Sequence, residues 1–204
     1  MAITDFHIPV SNDNETEESG VGMLRIDLQA SLRQTTLDPR QMSSFQRILL
    51  TTDGTVTEIL EAHLWESIKL VKLYQETIQT DTAVPYLEIP VETTALIRKV
   101  LLRGKCSHKN YIYAESITLP ERLDPKIKEG LLTTQKPIGR LMLEARTETF
   151  REILSCKMED IGEIGEYYDL PADAKLISRT YRVFAGGQPI MLITEKFPES
   201  YFKD

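Results

Sequence analysis

Cysteine is scarce in this chain, with two residues in 204. Cys106 and Cys156 could close one bridge. Because the N-terminus lacks the charged-then-apolar pattern of an export signal, both are expected to be reduced thiols. Histidine is almost as sparse. His7, His63 and His108 stand at no metal-ligand spacing and have no nucleophile partner, so neither a metal centre nor a cofactor is expected. No apolar run approaches the roughly 18 residues of a membrane span, which predicts a protein of the cytoplasm. Positive charge is also in deficit: 24 Lys and Arg against 31 Asp and Glu give a net charge of −7, and the basic residues are scattered. Nucleic acid is therefore not an expected partner. Glycine forms no phosphate-binding pattern either, since Gly20-x-Gly22 and Gly186-Gly187 match neither a dinucleotide fingerprint nor a P-loop.

What is present reads as an acidic extension and one domain. Residues 11–20 are polar and acidic without apolar periodicity, so residues 1–24 are expected to form a flexible tail and residues 25–204 a single domain. Asp38-Pro39 reads as a cap and first-turn proline opening a helix through Phe45, Ile48 and Leu50, which the stretch Thr51 to Gly54 ends. A short helix over 55–61 follows, and Leu64 to Ile78 shifts to an extended pattern. Strand 94–104 and strand 111–119 form a predicted antiparallel hairpin closed by Pro120. Asp124-Pro125 repeats the helix-opening signal, with Gly130 or Thr133-Thr134 as the stop, and another helix follows Pro137. The strongest hairpin signal lies in 176–185 and 189–198, around Gly186-Gly187-Gln188. With no βαβ alternation, this order predicts an α+β fold, a mainly antiparallel sheet backed by helices.

Two of these strands each carry one ionisable residue on an otherwise apolar face. Alternation groups Arg98 with Leu96, Val100 and Leu102, and sends Lys99 and Arg103 to the other side. It likewise groups Glu195 with Met191, Ile193 and Phe197. A buried ionised group must be paired or must serve a ligand, because an unpaired one costs several kcal/mol. Two readings follow. Arg98 and Glu195 form a structural ion pair with each other, or they face a closed pocket for an anionic, hydroxylated molecule. In the second reading the guanidinium fork takes a carboxylate and Glu195 a hydroxyl. Periodicity does not separate them.

Five motifs in order resemble the chorismate pyruvate-lyase family: Leu-Leu-Thr-Thr-Asp-Gly-Thr-Val-Thr at 49–57, the arginine strand Leu96 to Leu102, Lys136-Pro137-Ile138-Gly139-Arg140, a strand with Arg179 and Arg182, and Gly-Gly-Gln-Pro-Ile-Met-Leu-Ile-Thr-Glu-Lys-Phe-Pro at 186–198. The resemblance covers about residues 45 to 202. It implies cofactor-independent cleavage of chorismate to 4-hydroxybenzoate and pyruvate, for quinone head-group synthesis, on a sheet whose helical flaps enclose the ligand. It further implies that Arg98 grips the ring carboxylate, helped by backbone amides near Val56 and around Ile138 and Gly139, and that Glu195 meets the ring hydroxyl. The early loop departs from the family pattern, with Val56 where a methionine is common. If Glu195 only neutralises a buried arginine, Glu195→Gln should cost about 3 to 5 kcal/mol of stability; if it serves a ligand hydroxyl in a wet pocket, the favoured outcome, the change should be no more than about 1 kcal/mol.

The same fold is similar to the effector-binding domains of GntR-type regulators, so a non-catalytic sensor of aromatic carboxylates is the alternative function. Those regulators carry a winged DNA-binding domain, whereas here only about 40 residues, acidic rather than basic on balance, precede the fold. A purely structural role for the two charges is the third reading.

Overall fold

The computed structural model describes residues 37–134 and 136–203. The expected tail over 1–24 lies outside them. Six strands, β1 (Ile68–Gln79), β2 (Thr94–Gly104), β3 (Asn110–Thr118), β4 (Phe150–Asp160), β5 (Lys175–Ala185) and β6 (Gln188–Pro198), form one fully antiparallel sheet in the order β1-β2-β3-β6-β5-β4. Both expected hairpins are present. Gly186 and Gly187 adopt φ of +58° and +77° between β5 and β6, a backbone that L side chains rarely take. Pairing of β3 with β6 joins the two halves of the sheet at its centre.

Among the described residues four α-helices accompany the sheet: α1 (Ser44–Thr51), α2 (Val56–Leu64), α3 (Pro125–Thr133) and α4 (Ile138–Glu144). The first start signal acts differently from expectation. Asp38 accepts from the Arg40 amide and opens only a 3₁₀ turn, Pro39–Gln41; extended Met42 then breaks the chain direction. The α-helix begins anew at Ser43, where a capping box couples Ser43 and Gln46: each side chain accepts the other's backbone N–H at 3.1 Å. The next helix runs a turn beyond the expected stop, to Leu64. Trp65 then turns left-handed at φ 56°, so β1 starts at Ile68 rather than Leu64. In α3 the Asp124 carboxylate caps the Lys126 amide at 2.8 Å, and the helix ends at Thr133; Gly130 lies inside it, where an added Cβ would meet Leu141 Cδ2 at 2.7 Å.

Strand β4 is the element the sequence pattern does not announce. It is an edge strand in which only Ile153 and Cys156 are buried, and a register shift between Ile153 and Ser155 interrupts the alternation that would have marked it. The sheet is covered on both faces. On one side Leu96, Leu102, Ile112, Met191 and Phe197 pack with Leu50 and Leu60 of α1 and α2 and with Leu131 and Leu141 of α3 and α4. On the other, Ile97, Ile117 and Leu192 meet the segment around Val84 and Leu87, while Leu101 and Tyr113 meet Ile161 and Tyr168.

Candidate functional site

Across the helix-covered face the registers of β2, β3, β6, β5 and β4 align side chains in rows. One row runs Arg98, Ser116, Ile193, Tyr181, Ile153; the next runs Val100, Ala114, Glu195, Arg179, Cys156. Where the starts of α2 and α4 come over these rows they leave a cavity of about 80 Å³. Its walls include Arg98 and Glu195 from the sheet, Val56 from α2, and Ile138 and Gly139 from α4. All five residues singled out from the sequence thus face one space. Gly139 is required by the packing there, since a Cβ would sit 2.6 Å from Thr55 Cγ2.

Arg98 is 3 % exposed, and its Nε and Nη2 are buried without a hydrogen-bond partner. Burial without an opposing charge pulls its guanidinium well below the usual arginine value, down to about 10. The sheet explains why Glu195 does not reach it. Arg98 stands opposite Ser116 on β3, whereas Glu195 stands on β6 one row along, beyond that strand. Of the two readings, the structural ion pair between Arg98 and Glu195 is therefore not formed.

Glu195 has a different partner. Its Oε2 accepts from Arg179 Nη2 at 2.8 Å, and its Oε1 accepts from the Tyr181 hydroxyl at 3.0 Å. Arg179 faces Glu195 directly in the β5–β6 register, donates from Nη1 to the Thr52 carbonyl at 3.0 Å, and lies over the Tyr181 ring at 4.7 Å. The neighbouring carboxylate holds the Arg179 guanidinium above its usual value against the opposing effect of burial. Burial, reinforced by the charge of Glu195, pushes the Tyr181 phenol up, so it remains a hydrogen-bond donor across the working pH range. Below this group the Cys156 thiol is 2 % exposed and raised to about 11 by burial.

Sequence reasoning named Arg179 within a motif but gave it no role, and passed over Tyr181, although alternation marks both: Ile177, Arg179, Tyr181 and Val183 share one face of β5. Arg151 on β4 also lines the cavity, and it had no such signal because its strand was not recognised. Among the described residues no three His, Cys, Asp or Glu side chains are grouped to hold a metal ion, and no helix is long and apolar enough to cross a membrane.

Comparison with known proteins places this geometry in a lineage. Residues 50–203 match the family model described as Chorismate pyruvate-lyase Rv2949c-like. The chorismate pyruvate-lyase of Mycobacterium leprae is 34 % identical over 172 residues, covering 81 % of this chain and 79 % of that protein. The Mycobacterium tuberculosis protein of the same name is 28 % identical over 81 % of this chain and 85 % of its own. A putative lyase of Methanocaldococcus jannaschii is 33 % identical over 74 % and 77 % respectively. Among solved structures, the effector domain of PhnF from Mycobacterium smegmatis superposes with a TM-score of 0.56 at 14 % identity, over 71 % of this chain and 88 % of that one. The ligand-binding domain of a putative GntR-family regulator from Bordetella bronchiseptica gives 0.51 at 12 %, over 65 % and 83 %. At such identities these two establish the fold alone.

Proposed function

The chain belongs to the Rv2949c-like chorismate pyruvate-lyase family, and from that premise we propose that it converts chorismate to 4-hydroxybenzoate and pyruvate. The observation that carries the reading is Arg98, a buried guanidinium with two unpartnered N–H groups on a cavity wall. An apolar replacement would be cheaper for folding, and a ligand carboxylate supplies the missing counter-charge.

In the proposed reaction the ring C4–H bond breaks and its electron pair becomes the C3–C4 π bond of the aromatic product. The C3–O ether bond breaks at the same time, and the departing enolpyruvate takes up a proton to give pyruvate. Aromatisation drives this elimination, so the protein's part is orientation and exclusion of water. Holding the reacting atoms in place is worth on the order of 7 kcal/mol. Arg98 anchors the ring carboxylate, with the amides at Val56 and at Ile138 and Gly139 beside it. Glu195 aligns the C4 hydroxyl. Its two internal hydrogen bonds leave room for that contact, because a carboxylate offers about four acceptor sites. The first turns of α2 and α4 are the flaps that open for exchange.

The test is purified protein with chorismate, in the presence of a chelator, with both products quantified. Turnover is expected. Binding of chorismate or 4-hydroxybenzoate without turnover would replace the lyase reading with a sensor. Arg98→Lys keeps the charge but loses the planar fork. Affinity for 4-hydroxybenzoate should fall ten- to a hundred-fold, as expected for about 1.5 to 3 kcal/mol of charge-assisted hydrogen bonding, and calorimetry reads it. Unchanged affinity would remove Arg98 from the site.

A further inference from the structure

Chorismate has two carboxylates, one on the ring and one on the enolpyruvyl arm, and the aromatic product keeps only the first. A pocket that used Arg98 alone would hold substrate and product alike. The cavity has a second cation. Arg151 lies on β4, opposite Val183 of β5, with its side chain 12 % exposed on the cavity wall. Its charge reaches the centre of the site, where it favours ionisation of the buried Tyr181 phenol.

Arg151 is anchored at one corner. Its backbone N–H donates to Asp53 Oδ1 at 3.1 Å, and its Nη1 donates to the Asp53 carbonyl and lies 3.4 Å from Oδ1. Among the described residues its Nε and Nη2 form no hydrogen bond, so one edge of the guanidinium fork is open. The partner Asp53 has a side chain 59 % exposed, so water weakens its hold on the charge. Arg98 and Arg151 come from strands four steps apart, with β3, β6 and β5 between them. In a flat sheet that is about 19 Å. Both line one cavity, reached from strands on either side of the two that carry Glu195 and Tyr181.

We propose that Arg151 binds the carboxylate of the enolpyruvyl arm, making it the residue by which the site distinguishes its two-carboxylate substrate from its one-carboxylate product. The assignment rests on the lyase reading above. It gives the arm a fixed direction, and it loses its ligand when pyruvate departs, while Arg98 keeps the ring.

Arg151→Gln separates the two carboxylates. The expected result is a ten- to hundred-fold rise in KM for chorismate, with the Kd of 4-hydroxybenzoate in calorimetry changed less than about twofold. Arg151→Lys should recover part of the loss. Retained product binding shows that the glutamine variant is folded; if it fails to fold, the lysine variant bears the test alone, with KM raised and product affinity intact. Equal loss of affinity for chorismate and 4-hydroxybenzoate in a folded variant, or no change in either, overturns the assignment while leaving the lyase reading standing. A wild-type protein that binds 4-hydroxybenzoate but neither binds nor cleaves chorismate overturns the lyase reading, and this assignment with it.

Discussion

Two arginines on the helix-covered face of the sheet resemble each other in burial and differ in company. Arg98 and Arg179 are 3 % and 2 % exposed, on the same face of the same sheet. Arg179 has Glu195 at 2.8 Å, the Thr52 carbonyl and an aromatic ring beneath it; Arg98 has two buried N–H groups with no protein partner. The first of these sits in a completed ion pair that contributes to holding β5 and β6 in place. The other carries the cost of a charge with no counter-charge among the described residues, a cost that the proposed ligand carboxylate would offset. Burial of a charge does not by itself mark a binding site. The absence of its partner does.

This contrast predicts mutational effects of opposite sign. Glu195→Gln leaves Arg179 without its counter-charge and should cost about 3 to 5 kcal/mol of folding stability in denaturant melts without ligand. That reverses the expectation of a near-neutral change drawn from the sequence, where Arg179 was not recognised as the partner. A loss under about 1 kcal/mol would mean that the pair is held apart by water. By contrast, Arg98→Met should raise stability by about 1 to 3 kcal/mol while abolishing ligand binding. The gain depends on pH in a defined direction. The Arg98 pKa is lowered in the folded protein, so its penalty is fully present at neutral pH. The penalty is relieved as pH rises through about 10 toward the ordinary arginine value. Melts at pH 7 should therefore separate the variant from wild type more than melts above pH 10. A destabilised Arg98→Met at neutral pH would break the comparison, because it would show that Arg98 is structurally satisfied.

The smallest expected effect concerns the satisfied arginine. Tyr181→Phe removes one hydrogen bond to Glu195 and leaves the arginine contact, so it should cost about 1.5 kcal/mol, well below the loss for Glu195→Gln. Equal losses in the two variants would mean that the tyrosine, rather than the ion pair, is the main restraint on the glutamate.

The sequence by itself determined the parts of this protein that depend on local repetition. Period-two alternation placed Arg98 and Glu195 inward, the glycine pair fixed the β5–β6 turn, and the ordered motifs identified the family, because each signal is written within a few neighbouring residues. β4 stayed illegible since it is a mostly uncovered edge strand broken by a register shift, which removes the apolar alternation that would reveal it. Pairing was decided only by the tertiary structure. Strand order put β3 between Arg98 and Glu195 and set Arg179 opposite Glu195, and no pattern along one strand encodes which strand becomes its neighbour. The same order brought Arg151, far along the chain, to the cavity that Arg98 also lines. Inward direction is a local property of a strand, whereas the identity of a partner across the sheet is set by long-range register, and in this protein that register decides which buried charge remains free for a ligand.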